Sequence, residues 1–220
     1  MSEIRLPGPP AAAVPLPEDD FADAQLQMME LRHRTKNILA IVQSLVNQTL
    51  RGDIAVDEAR KVLGERLMAM SKAVDVLMGS AWQSAPLDEV VAGALSHRRS
   101  FGTRIRIDGP EMPVGPTAAM TLSLALHELE SNAIKYGALS NESGAVAVEW
   151  TVEQRDGADC LALSWIESGG PPVAPPTRTG FGTRLISRAI GKRLDGAAAT
   201  DFHPEGLRWR LLASVQELAN

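Results

Sequence analysis

The chain of 220 residues has a single cysteine, Cys160. One thiol excludes an intramolecular disulfide framework and a cysteine-based metal cluster. Long apolar runs are also missing. None approaches the roughly 20 residues that a membrane helix needs, so no membrane insertion is expected. Aromatic residues make up only 4% of the chain. Ala, Leu and Val carry the apolar content instead, which leans towards helices. There is no dense Lys/Arg run, and the formal charge is −5. That balance argues against nucleic acid or an anionic membrane surface as the main partner. The N-terminus lacks a signal-peptide core, because Pro7, Pro9, Pro10, Pro15 and Pro17 crowd its only Ala-rich stretch. The expected location is the cytoplasm.

What is present suffices for one large or two small domains. Residues 1–18 are rich in Pro and Ala, lack periodicity, and read as a flexible tail. Asp19 or Asp20 can cap a helix that runs to about Leu50. Its seam is Leu31, Thr35, Ile38, Val42 and Leu45, widened by Leu39, Ile41 and Val46. His33 and Asn37 lie one turn apart, roughly opposite that seam. After the Gly52-Asp53 turn, a helix from about Val56 to Met78 carries Val62, Leu63, Leu67, Met70, Val74 and Leu77 as its apolar stripe. Two long helices joined by a short turn form a hairpin. Two such hairpins make a four-helix bundle, so a homodimer is expected.

Gly79–Pro86 reads as a link to a second domain. Beyond it the spacing predicts a short helix over Leu87–His97 and a strand over Arg104–Ile107. A long helix is predicted over Thr117–Tyr136, then strands over Ala145–Glu153 and Cys160–Glu167. A helix from about Thr183 to Leu194 and a strand over Leu207–Ser214 complete the order. This is an α+β pattern, with helices on one face of a mixed sheet.

The long helix concentrates the chemistry. Leu122, Leu126, Leu129 and Ala133 form its apolar stripe, while Glu128, Asn132 and Lys135 share another face. A carboxylate, an amide and a cation so placed suit a magnesium nucleotide, or are simply a solvated face. Trp165, Glu167, Gly169 and Gly170 lie at a strand end in SWIESGGPP. An acidic group there can accept a hydrogen bond from an exocyclic amine such as that of adenine, although a strand end before a Pro-rich turn explains the letters equally. Gly180, Gly182 and Thr183 open a helix in RTGFGTRL, where backbone N–H groups favour phosphate. The segment is no P-loop, since no Walker lysine follows. His33 lies in ELRHRTKN. With an ordinary pKa of about 6.5, an exposed imidazole can be a neutral nucleophile towards phosphorus. Arg32, Arg34 and Lys36 can attract a polyphosphate, and Asn37 can hydrogen-bond the attacking complex or a phosphorylated ring. A plain surface histidine in a basic turn is the alternative.

Together these segments resemble the HWE family of sensor histidine kinases, within the gyrase, heat-shock-protein-90 and histidine-kinase ATPase group. The resemblance runs from about Leu31 to Ala213. His127 stands in LHELESNAIKYGALS, which looks like the family's N-box, and Trp165 and Glu167 supply the W-x-E of its G1 box. LRHRTKN looks like the HR-x-KN phosphoacceptor box, GFGTRLI like the G2 box, and HPEGL from His203 to Leu207 like the closing P-x-G-L.

The resemblance implies a helical-hairpin dimerisation and phosphoacceptor domain over residues 19–82. An α/β-sandwich ATP-binding domain would follow over 83–220. It implies that His33 is phosphorylated and that Asn132 holds Mg2+. Lys135 and Tyr136 would lie near ATP, Glu167 would recognise adenine, and Gly169, Gly180 and Gly182 would shape the pocket. Glu128 would position or deprotonate the attacking histidine. The phosphoryl group would then pass to the receiver domain of a response regulator. Glu130 and Ser131 depart from the family's small residues, and Glu130 would weaken ATP binding unless it points to solvent. Pro171–Thr179 is a short, Pro-rich lid. With no sensor attached, input would come from a separate sensor protein, the tail or a further domain. Two other readings share these residues. One is a degenerate kinase acting as a histidine phosphotransferase or regulator scaffold; the other is a conformational ATPase in which Glu128 activates water. The nucleotide residues disfavour the first, and the exposed histidine in a basic turn disfavours the second.

Overall fold

A computed structural model describes residues 18–50, 55–80, 82–174, 182, 186 and 190–219, and for part of the first helix, His33 included, only the backbone. The chain divides into two units, Met1–Leu39 and Ala40–Asn220. Of the proposed tail over residues 1–18 only Glu18 is described, where an α-helix begins; Gly180, Thr183 and half of the predicted helix from Thr183 to Leu194 also lie outside the described residues.

Helix α1 spans Glu18–Thr49 and α2 spans Val56–Gly79, close to the expected limits. Within the larger unit, α1 buries Ile41, Leu45 and Thr49, a stripe at four-residue spacing. The buried face of α2 matches expectation at Met70 and Leu77 and differs elsewhere. It is Ala59, Arg66, Ala69, Met70, Ala73 and Leu77, whereas Leu67 is exposed and Val62, Leu63 and Val74 are half-buried. Small residues let α2 approach its neighbours closely, which leaves the bulky stripe turned to the side.

A five-stranded mixed sheet forms the second layer. Its strands are β2 (Ile105–Asp108), β4 (Ala145–Arg155), β5 (Ala158–Ser168), β6 (Gly196–His203) and β7 (Gly206–Ser214), in the order β2-β4-β5-β7-β6. Only the β2–β4 pair is parallel. The crossover between them contains α5 (Pro116–Lys135), the long helix, as a parallel connection requires. Gly115 enters it in extended conformation and Pro116 takes the first helical position, where no N–H is needed. Val146, Val148 and Trp150 of β4, Leu161, Leu163 and Trp165 of β5, and Leu207, Trp209 and Leu211 of β7 alternate inward. They share one core with Leu122, Leu126, Leu129 and Ala133, the expected apolar stripe of α5.

Several elements depart from the sequence expectation. The helix over 87–97 is shorter: α3 (Leu87–Ala94) ends, the chain turns, and α4 (Arg98–Phe101) follows. Strand β6 was not expected, because Gly196-Ala197-Ala198-Ala199 has little strand propensity. It forms through its ladder with β7, His203 pairing with Gly206 across a two-residue turn. Of the closing P-x-G-L letters, Pro204 and Glu205 are that turn, and Gly206 and Leu207 open β7. A two-residue strand pair, β1 (Ala85–Pro86) with β3 (Pro113–Val114), was also invisible in the sequence. Among the described residues, no helix is long and apolar enough to cross a membrane.

Candidate functional site

The site is built around the C-terminal half of α5. The helix ends as the Tyr136 N–H bonds the Asn132 carbonyl and the Gly137 N–H bonds the Asn132 and Ala133 carbonyls. The chain then turns through Gly137 into a 3-10 turn, Ala138–Ser140. A side chain at Gly137 would run into the carboxylate of Glu167 and the backbone of Ala133, so only glycine permits this approach.

Trp165 and Glu167 are two apart on β5 and therefore point to the same, covered face. Glu167 is buried, and its oxygens divide the work. Oε2 accepts the Ala138 N–H at 2.8 Å, and Oε1 accepts the Trp165 indole N–H at 3.1 Å. Burial raises the pKa of Glu167, while these two bonds oppose the rise. A carboxylate offers about four lone pairs, so two accepted bonds leave capacity for an exocyclic amine. Gly206, at φ 148°, lies against the Glu167 backbone, where a Cβ would collide with the carbonyl.

The turn after β5 is tied to the turn after α5. The Asn141 amide donates to the Gly169 carbonyl at 3.0 Å, and the Ser143 hydroxyl donates to the same oxygen at 3.2 Å. Asn141 Oδ1 also accepts the Ser143 and Gly144 N–H groups. From the far side, the Arg104 guanidinium donates to the carbonyls of Gly144, Ala138 and Asn141. Gly169 thus sits beside the adenine-type acceptor, held by a turn that the motif letters do not mention.

Further back along α5, a side chain at Gly182 would strike the carboxylate of Glu128. Glu128 is therefore adjacent to the glycine segment expected to cradle phosphate. Its other oxygen accepts from Arg66 Nε at 2.6 Å. Asn132 is half-buried one turn on, and Lys135 and Tyr136 are exposed at the helix end. A half-buried amide fits a magnesium ion that keeps most of its coordination for water and phosphate. Among the described residues, no group of three or more His, Cys, Asp or Glu side chains could hold a metal.

Five N-box residues, His127, Glu130, Ser131, Ile134 and Lys135, line a cleft towards α2. His127 lies about 100° round the helix from Glu128. It lines that cleft, of about 460 Å³, with Gly64, Met68 and Lys72 of α2. Burial lowers its pKa, offset in part by Glu128, Glu130 and Glu65, so its imidazole is neutral near pH 7. Glu130 points neither to solvent nor to the Asn132 face. It is buried and accepts the His97 N–H at 3.0 Å and the Ser96 hydroxyl at 3.2 Å. That capture ends α3 early and corrects the expectation that Glu130 would crowd a phosphate unless it faced solvent. His33 and Asn37 lie on α1 within the N-terminal unit, and the side chain of His33 is outside the described residues.

The motif reading missed Ala138, Arg104 and Arg66. Ala138 acts through its backbone, which leaves no letter to read. Arg104 acts across a sequence gap of about 40 residues. Arg66 did leave a signal: it stands in the spacing Ala59, Arg66, Ala73, a cation within a buried stripe.

This arrangement of mixed sheet, long helix and glycine turns recurs in solved structures. A histidine kinase domain from the Erythrobacter litoralis EL346 blue-light activated histidine kinase superposes with a TM-score of 0.59 at 15% identity, covering 91% of this chain and 96% of that one. The longer structure of that kinase gives 0.62 at 17% identity, covering 87% of this chain and 59% of that one. The fold is that of histidine kinase catalytic domains. In sequence, a blue-light-activated histidine kinase of Brucella anthropi is 42% identical over 195 residues, 88% of this chain and 40% of that protein. The Brucella ovis protein of the same name is 38% identical over the same share. The chain spans about two fifths of the length of these curated relatives. A family model of the HWE histidine kinases matches residues 30–111, so this part of the chain resembles that family.

Proposed function

We propose that the chain is the kinase core of a two-component system and transfers the γ-phosphoryl group of ATP to its own His33. The single observation that carries this reading is that α5 and the turn after it connect two glycine segments. Glu167 and Gly169 stand at its C-terminal end, and Gly182 lies against Glu128. Glu167 would accept the adenine amine, and Gly180, Gly182 and Thr183 would meet the phosphates. Asn132 would hold magnesium, with Lys135 and Tyr136 beside the nucleotide. Magnesium neutralises phosphate charge when bound. The imidazole nitrogen of His33 would attack the γ-phosphorus as the bond to the β-phosphate oxygen breaks, releasing ADP. Glu128 would orient the ring and take its proton, and Asn37 would steady the phosphorylated ring. An aspartate of a response regulator would then accept the phosphoryl group as the P–N bond breaks. Positioning and charge neutralisation supply most of the acceleration.

In this reading residues 19–82 form the dimerisation and phosphoacceptor hairpin, and 83–220 the ATP-binding domain. The half-buried Val62, Leu63 and Val74 with exposed Leu67 support pairing with a second copy. The reaction belongs in the cytoplasm, where ATP is available. Incubation with magnesium and ATP labelled on the γ-phosphate tests the proposal. Acid-labile, base-stable label is expected on the wild type and absent from His33→Ala and Asn132→Ala. Label retained by either variant would refute the assignment. Absence of both label and nucleotide binding in the wild type would point to the phosphotransferase or scaffold reading.

A further inference from the structure

The carboxylate assigned to the attacking imidazole is already taken. Glu128 Oε1 accepts from Arg66 Nε at 2.6 Å, and the two side chains are only 10% and 6% exposed. That bond sets the buried carboxylate against the cation of α2. An imidazole N–H that is to reach this oxygen has to compete with the guanidinium for it. Oε2 faces Gly182, so the carboxylate is enclosed on both sides.

Arg66 does not act alone. Its Nη1 donates to the Thr49 hydroxyl oxygen at 2.7 Å, and that hydroxyl donates to the Leu45 carbonyl at 2.7 Å. The single hydroxyl proton is committed to Leu45, so a Thr49 lone pair faces the guanidinium. Thr49 ends α1, Arg66 lies midway along α2, and Glu128 belongs to α5. One cation therefore joins both helices of the hairpin to the helix that carries the nucleotide residues. Arg66 occupies the covered face of α2 between Ala59 and Ala69, where an apolar residue would pack as readily. A buried cation is retained there at a desolvation cost, and that cost fixes its partners.

We propose that Arg66 is a latch. It holds Glu128 against the hairpin in a resting arrangement, and autophosphorylation requires the pair to open. The inference rests on the histidine kinase reading, and it names how that site is controlled. A one-residue rotation of α1 or α2, about 100°, carries Thr49 or Arg66 off its partner and frees the carboxylate. An input that turns either hairpin helix is thereby felt at the phosphoryl-transfer site, and α1 is also the helix that carries His33.

The test compares wild type, Arg66→Gln and Thr49→Val in initial rate of γ-phosphate labelling at saturating ATP, with the affinity of a fluorescent ATP analogue measured alongside. Arg66→Gln keeps a polar side chain of similar reach and removes the charge. Its labelling rate is expected to rise about fivefold or more, within the usual range of coupling between sites. The analogue's affinity should stay within about twofold of wild type, so that the change lies in turnover and not in binding. Label in the accelerated variant must disappear with His33→Ala. Thr49→Val removes only the relay to α1 and keeps the buried volume, so it decides the question if Arg66→Gln melts near the assay temperature. It should accelerate labelling in the same direction by a smaller factor. Wild-type label with no acceleration in the folded variants would overturn the latch and leave the kinase reading intact. No label in any variant, despite nucleotide binding, would overturn both.

Discussion

Replacing Glu167 by Gln tests the W-x-E pair as a structural device. The carboxylate satisfies two N–H donors on two oxygens, Ala138 at 2.8 Å and Trp165 at 3.1 Å. An amide has one acceptor oxygen, so one of these donors must face an NH2 group. The Ala138 N–H belongs to the backbone of a tied turn and cannot move, so Trp165 is expected to lose its partner. Leaving a buried donor unmatched costs about 1–3 kcal/mol. Trp165→Phe alone removes one of the bonds that hold the buried carboxylate and should cost about 1–2 kcal/mol by the same principle. In the double variant the phenyl ring no longer opposes the amide. The two losses should therefore fail to add, with a coupling of about 1–2 kcal/mol. Urea unfolding of the four proteins in the double-mutant cycle, followed by far-ultraviolet circular dichroism, measures this term. Additivity within about 0.3 kcal/mol would refute the reasoning.

The same cycle has a pH signature. Burial holds the folded pKa of Glu167 above its ordinary value of 4.5. Between the two values the native chain binds more protons than the unfolded one. The stability from this group is therefore complete below 4.5 and is lost as pH rises through the folded value. The Gln variant lacks that titration. The stability gap between wild type and variant should accordingly be wider at about pH 5 than at about pH 8. An equal gap at both would show that burial does not govern the carboxyl.

Gly206→Ala should destabilise the fold by about 2 kcal/mol or more, because φ of 148° and the Glu167 carbonyl both exclude a Cβ. Thermal unfolding unchanged from wild type would contradict the close approach. Arg104→Met removes three hydrogen bonds to the carbonyls of the 138–144 turn and should cost about 2 kcal/mol. It should also weaken binding of a fluorescent ATP analogue, since Gly169 is held by that turn; unchanged affinity would separate the turn from the site.

The Leu122, Leu126, Leu129 and Ala133 stripe was legible because a helical period of 3.6 marks one side of α5 whatever it packs against. Alternation placed β4, β5 and β7 for the same reason. Strand β6 was not legible, since three consecutive alanines state no preference and the ladder with β7 decides for them. The hairpin shows the limit most clearly. Bulky residues suggested Val62, Leu63, Leu67, Met70, Val74 and Leu77 as the covered side of α2; Met70 and Leu77 are covered, but the rest of the covered side is alanine with Arg66. Burial depends on how closely a neighbour can approach, which no count of apolar residues measures.

The sequence by itself determined the long helices, strands β4, β5 and β7, the α+β layering and the residue types at the site, because periodicity and motif spacing are local properties of the chain. Only the tertiary structure decided that Glu130 binds the 96–97 turn, that Glu167 braces Ala138 and Trp165, and that Glu128 is held by Arg66. A buried carboxylate must find donors to offset its desolvation. Those donors come from backbone and side chains that are remote in sequence and become neighbours only when the layers close.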